Sequence, residues 1–213
     1  MGWLQRFKRS SFGKFLRSVF GKNHVRIGIY GPPNSGKTTL ANKIAKDWAG
    51  DIVGSVSGIP HETRRVRLKR DLTIRGDGGV LNIDIVDTPG IATKIDFHDF
   101  VNIYGIDEND SKKRAKEATE GVIEAIRWLD DMDGVILVMD STQDPFTQVN
   151  ITILGNLEAR KLPTLIAANK VDLKEAAPSL IRESFPQHRV VPLSALTGYN
   201  IDSFYENLVE SFR

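Results

Sequence analysis

No cysteine occurs among the 213 residues of this chain. Disulfides, thiolate nucleophiles and zinc–thiolate centres are thereby excluded, and the expectation is a cytoplasmic protein. Long apolar runs are missing too. The longest, VILVM at 135–139, falls far short of the ~20 residues that a membrane-spanning helix needs. Charges interrupt every would-be apolar core near the N-terminus, so a secretory signal is not expected there. Acid is absent from residues 1–24, which hold Arg6, Lys8, Arg9, Lys14, Arg17 and Lys22. The whole chain has 29 lysines and arginines against 27 acids, so the remainder carries 23 basic and 27 acidic side chains, a net of −4. A basic tail precedes a mildly acidic body.

What is present is ordinary for a globular protein, with 40% apolar and 26% charged residues. The length suits one domain with a full core and a small appendage, divided here into a segment 1–24 and a domain 25–213. From residue 25, β-rich runs alternate with helical stretches. VRIGIY (25–30) reads as a buried strand and TTLANKIAKDW (38–48) as the helix after it. VRLKRDLTI (66–74) and VLNIDIVD (80–87) form a hairpin through the turn GDGG. Residues 114–130 place Ala115, Ala118, Val122, Ile126 and Leu129 on one helical face. GVILVMD (134–140), TLIAANK (164–170) and RVVPLSA (189–195) are further strands. Asp144–Pro145 predicts a helix start with Asp144 as N-cap, and another helix is expected near 173–184. The last helix carries an apolar stripe at Ile201, Phe204, Tyr205, Leu208, Val209 and Phe212, and no second folded domain is expected after it. No repeat or low-complexity segment is visible. This alternation predicts an α/β sheet, mostly parallel, with its ligand at the strands' carboxyl ends.

GPPNSGKT (31–38) fits G-x-x-x-x-G-K-[ST] between a predicted strand and a predicted helix. Gly31, Asn34, Ser35 and Gly36 let the backbone wrap a phosphate, and the helix N-terminus adds positive potential. Lys37 can reach the β- and γ-phosphates, Thr38 can ligate Mg²⁺, and Thr39 follows in the first turn. DTPG (87–90) closes a strand, where Asp87 can hold Mg²⁺ and the Gly90 N–H can face the γ-phosphate. NKVD (169–172) selects the base. A carboxylate at Asp172 accepts from the N1–H and exocyclic amine of guanine, a donor pair adenine lacks. Asn169 and Lys170 precede it, and Ser194, Ala195 and Leu196 end the next predicted strand, where a backbone N–H can meet the guanine carbonyl. Each tetrapeptide alone is weak, but four in order on strand ends are specific.

These motifs, with Thr63–Arg64 and SALTGYNIDSF, resemble the translation-factor-related GTPases of the Era and MnmE group, over residues 25–213. The chain looks especially like the single-domain Era-like GTPases of archaea. The resemblance implies a Ras-like P-loop fold, with a six-stranded, mostly parallel sheet having one antiparallel strand and helices on both faces. It also implies slow hydrolysis of GTP to GDP with Mg²⁺. Thr63 is the candidate first-switch threonine, on Mg²⁺ and the γ-phosphate, with Ser55 and Ser57 as alternatives. Era proteins carry an RNA-binding KH domain after the GTPase domain, and no counterpart is read here. A Ras-like enzyme has a glutamine after DTPG to orient water, whereas this chain has Ile91. In the Era and MnmE group an asparagine at the position of Asn34 helps bind K⁺, which would neutralise developing charge. The plainer alternative is that asparagine tolerates the loop's turn geometry. Lys37, Thr63, Gly90 and Asn34 are therefore the expected catalytic set, and Asp96, His98 or Asp99 could orient water.

Two segments remain. Residues 91–113 interleave Phe97, Phe100 and Tyr104 with acids, and suit either a packed lid or a surface for a protein effector. Residues 1–22 place aromatic and basic residues on opposite helical faces. This suits peripheral contact with an anionic membrane surface, with packing on the domain and contact with RNA or the ribosome as alternatives. Gly2 lacks the Ser or Thr at position 6 that myristoylation requires. The leading expectation is a guanine-nucleotide switch recruited to a membrane surface. The alternatives are a ribosome- or RNA-associated assembly factor, and a nucleotide-dependent binding module with negligible hydrolysis.

Overall fold

A computed structural model describes residues 21, 24–49, 69–76, 79–87 and 126–212, with residues 69–87 through their backbone alone. Six strands form one sheet: β1 (His24–Tyr30), β2 (Lys69–Gly76), β3 (Gly79–Asp87), β4 (Gly134–Asp140), β5 (Thr164–Asn169) and β6 (Arg189–Pro192). Their spatial order is β2-β3-β1-β4-β5-β6, with β2 antiparallel to β3 and every other pairing parallel. The six-stranded expectation, with its antiparallel second strand, is met. The hairpin closes at the Gly76–Gly79 pair.

Four complete α-helices among the described residues lie outside the sheet: α1 (Lys37–Ala49), α2 (Gln148–Ala159), α3 (Pro178–Ser184) and α4 (Ile201–Ser211). The apolar run of β4 is shared between two cores, because successive side chains on a strand face opposite ways. Ile136 and Val138 join a cluster with Leu40 and Ile44 of α1 and Phe204, Tyr205 and Leu208 of α4. Val135, Leu137 and Met139 join the other, with Ile153, Leu154 and Leu157 of α2 and Ile181 of α3. Helices therefore cover both faces of a central sheet. Phe204, Tyr205, Leu208 and Phe212 are fully buried, each contributing roughly 1.5–3 kcal/mol by leaving water. A polar tie joins the same two helices: the Tyr205 hydroxyl donates to Asp47, which also pairs with Lys43 at 2.7 Å.

Several element boundaries differ from expectation. Helix α2 begins at Gln148 with Thr147 as its N-cap, not at Asp144. The Asp144 carboxylate instead accepts from the Phe146 N–H at 2.8 Å, a local turn that competes with helix initiation. Helix α3 starts only at Pro178, a residue suited to the first helical position because it has no N–H to satisfy. Strand β6 stops at Pro192, short of residues 194–196, because the Ser194 N–H turns away to the Tyr199 carbonyl. The helix expected over 114–130 is described from residue 126, and its end tightens into a 3₁₀ turn at Leu129–Asp131. Ala115, Ala118 and Val122 lie outside the described residues, as do residues 1–20 and 91–113.

Candidate functional site

Strand order reverses at β1, whose neighbours are β3 on one side and β4 on the other. Crevices in parallel α/β sheets open at such a point, beyond the strands' carboxyl ends. The loop 31–36 leaves β1 there and feeds α1. Gly31 has φ 145°, and a Cβ on it would overlap the Val138 carbonyl of β4, so only glycine lets the loop lie against that strand. Asn34 has φ 61° and is exposed, while Ser35 is buried. Among the described residues the Ser35 Oγ has no hydrogen-bond partner. Lys37 is 7% exposed and its Nζ donates to the Pro32 carbonyl at 2.8 Å, folding the ammonium back over the loop. A buried ammonium, an orphaned hydroxyl and the amides of a helix N-terminus together fit a phosphate.

Thr38 and Thr39 occupy the exposed first turn of α1. The backbone of Asp87 ends β3 in register with Ile29, two residues before Gly31. Thr38 follows β1 and position 87 ends its neighbour β3, so both positions belong to the carboxyl end of this strand pair.

On the other side, Asn169 ends β5 and is buried. Its Nδ2 donates to the Ser35 carbonyl at 2.8 Å, and its Oδ1 accepts from the Ala195 N–H at 2.9 Å. One side chain therefore links the phosphate loop to the loop after β6. Gly36 makes room for it: its φ is 95°, and a Cβ there would overlap Asn169 Nδ2. Asp172 lies exposed in a turn closed by the Leu173 N–H on the Lys170 carbonyl. Ser194 is buried and accepts from the Thr197 N–H through its Oγ. With Ser194 and Ala195 already donating, Leu196 holds the backbone N–H of this trio that has no partner among the described residues. Its side chain is 80% exposed.

Sequence reasoning missed Asp140, the last residue of β4. It stands in register with Asn169, and its Oδ2 accepts from Lys170 Nζ at 2.6 Å. Its Oδ1 accepts from the Thr142 N–H at 3.0 Å and the Thr142 hydroxyl at 2.8 Å. Burial works to raise the carboxyl's pKa, but the Lys170 ammonium and the Thr142 donors outweigh it and hold the group below the usual carboxylate range. The available signal was an aspartate closing a fully buried strand at the ligand edge. Gly31, Asn34, Ser35, Gly36, Lys37, Thr38, Thr39, Asn169, Lys170, Asp172, Ser194, Ala195 and Leu196 all lie at or just after the carboxyl ends of β1, β5 and β6, and contacts of Asn169 with Ser35 and Ala195 join the three segments. Thr63, Gly90, Ile91, Asp96, His98 and Asp99 lie outside the described residues, as does the side chain of Asp87.

Residues 26–170 match the family model described as the 50S ribosome-binding GTPase. The GTPase Era of Ectopseudomonas mendocina is 30% identical over 189 residues, 86% of this chain and 53% of that protein. The tRNA modification GTPase MnmE of Aquifex aeolicus is 29% identical over 203 residues, 95% of this chain and 37% of that protein. The chain thus spans about half the length, or less, of these curated relatives. A crystal structure of Era in complex with MgGDPNP and nucleotides 1506–1542 of 16S ribosomal RNA superposes with a TM-score of 0.58 at 24% identity. The match covers 88% of this chain and 56% of that one, and at this identity it supports the fold.

Proposed function

The chain belongs to the 50S ribosome-binding GTPase family, and from that premise we propose that it binds Mg²⁺·GTP and hydrolyses it slowly to GDP and phosphate as a molecular switch. The observation that best supports this reading is Asn169, whose amide ties the phosphate loop to the base loop through Ser35 and Ala195. A rim built this way holds phosphates and base at a fixed spacing. Asp172 reads the guanine edge, Leu196 offers its N–H to the guanine carbonyl, and Lys37 accompanies the β- and γ-phosphates. Thr38, Thr63 and Asp87 are the proposed Mg²⁺ set, and an ion held there would supply neutralisation of the phosphate charge. Gly90 is assigned the γ-phosphate.

The Ile91 side chain has no hydrogen-bonding group, so it cannot orient the attacking water as a glutamine would. Asn34 is proposed to hold K⁺ beside the phosphates. Its φ of 61° is one that asparagine tolerates better than most residues, so salt dependence is the discriminating test. Single-turnover GTP hydrolysis is expected to be faster in K⁺ than in Na⁺, and equal rates in both salts would remove the K⁺ assignment. No hydrolysis in either salt would leave a nucleotide-dependent binding module, with residues 91–113 as its effector surface.

The segment 1–22 is proposed as a peripheral anchor on an anionic membrane surface at the cytoplasmic face. Among the described residues no helix is long and apolar enough to cross a membrane. The family description favours a second reading, in which the basic residues contact ribosomal RNA phosphates. Co-sedimentation of the full chain, and of a chain lacking residues 1–22, with anionic vesicles and with ribosomes separates the two. The partner that loses binding on truncation is the one this segment serves.

A further inference from the structure

We propose that Asp140 is a positioning residue for guanine-nucleotide binding, acting through Lys170 to set the turn that presents Asp172. The proposal rests on the guanine-nucleotide reading of the site and extends it to a residue outside the four sequence motifs.

Three observations on separate elements converge. First, Lys170 has φ 69°, a left-handed conformation that a lysine rarely adopts. This sharp departure from the end of β5 sends residues 170–173 into the turn that carries Asp172. A residue in such a conformation persists only where its surroundings hold it.

Second, the holding group is identifiable. Lys170 Nζ pairs with Asp140 Oδ2 at 2.6 Å, and the Asp140 carboxylate is largely shielded from solvent, so salt screens the pair less than an exposed one. Third, the carboxylate is itself aimed. Thr142 occupies Oδ1 with both its N–H and its hydroxyl, which leaves Oδ2 for the lysine. Backbone bonds lock the two loops in the same register. The Ser141 N–H donates to the Asn169 carbonyl at 2.9 Å, and the Ala177 N–H donates to the Ser141 carbonyl at 2.7 Å. The loop after β4 is thus a scaffold for the loop after β5.

Asp140→Asn keeps an acceptor for Thr142 but places an uncharged amide opposite the lysine ammonium. The expected result is a roughly tenfold rise in the Kd for a fluorescent GDP analogue, driven by faster dissociation. Single-turnover hydrolysis at saturating GTP should stay within about twofold of wild type, because Asp140 acts on the base side. In a Lys170→Ala background, Asp140→Asn should add less than about twofold, since the coupling is already broken. A general loss of structure would instead lower affinity and rate together, and would add to the Lys170→Ala effect.

Unchanged affinity in Asp140→Asn overturns the proposal, as does additivity with Lys170→Ala or an equal fall in the saturated rate. If Asp140→Asn does not fold, Thr142→Ala serves instead. It removes the hydroxyl donor from Oδ1, leaving the backbone N–H of residue 142, and should weaken GDP two- to threefold with the same split between affinity and rate, and no change there overturns the proposal. A folded wild-type chain that binds no guanine nucleotide overturns the underlying reading as well. Wild-type binding with an indifferent Asp140→Asn overturns the role of Asp140 alone.

Discussion

On the phosphate side of the crevice, shape is set mainly by backbone: Gly31 and Gly36 hold positive φ, and the Lys37 ammonium rests on a main-chain carbonyl. On the base side, shape is set by side chains: Asn169 spans two loops, and Asp140 grips Lys170 while Thr142 grips Asp140. A backbone-built loop presents amides that any phosphate can use, so it supplies affinity with little discrimination. A side-chain-built loop holds its polar groups at positions that one base edge can match, and so supplies selectivity. In the proposed function, nucleotide recognition depends on keeping these two constructions at a constant separation, and Asn169 against Gly36 is where they meet.

The harshest way to break the arrangement is at that meeting point. Gly36→Ala would place a Cβ on the Asn169 amide nitrogen and force alanine into φ 95°. Backbone strain of about 1–3 kcal/mol adds to the displacement of an anchor worth about as much. Binding of GDP and GTP should fall by roughly 100-fold or more, since each 1.4 kcal/mol is tenfold. Titration with a fluorescent GDP analogue checks this, and retained affinity would show that the two sides are not mechanically joined there.

Asn169→Ala removes the bridge without adding a clash. It strands the Ser35 carbonyl and the Ala195 N–H, each previously satisfied by the amide. Leaving two such groups unpaired costs about 2–4 kcal/mol. The variant should melt roughly 4–16 °C lower for a domain of this size. GDP affinity should fall by more than the melting temperature alone accounts for, and added GDP should raise the melting point less than in wild type. A purely thermal defect with normal affinity would mean that each side keeps its own shape.

The two constructions also differ in how far the sequence discloses them. A backbone-built loop is local, so GPPNSGKT announces itself through contiguous glycines, lysine and threonine at fixed spacing. NKVD is equally local, and its place at a strand end follows from the apolar run before it. The coupling of Asp140 to Lys170 joins residues thirty positions apart. It exists only because β4 and β5 pair in the register that sets Asp140 beside Asn169. Register depends on pairing across the sheet, which no single-strand pattern encodes. The sheet's strands were readable because buried parallel strands are near-continuous runs of Val, Ile, Leu and Ala. Helix starts were less so, because Asp144, Thr147 and Pro178 all carry start signals and local turns decide among them.

That competition between Asp144 and Thr147 supplies the mildest prediction, and a baseline for the others. Thr147 Oγ1 accepts from the Asn150 N–H and caps α2, whereas Asp144 serves a turn exposed to water. Thr147→Ala should cost about 1 kcal/mol, the usual worth of an N-cap. At this chain length that is a fall in melting temperature of about 2–4 °C. Asp144→Ala should cost less than about 0.5 kcal/mol, because water replaces the lost acceptor. Neither variant touches the Asn169 bridge or the Asp140–Lys170 pair, so GDP affinity should match wild type in both. The reverse order of stabilities would return the helix start to Asp144. A loss of affinity in Thr147→Ala would mean that the loop after β4 transmits the packing of α2 to the base side, so that side would depend on the scaffold as well as on its own side chains.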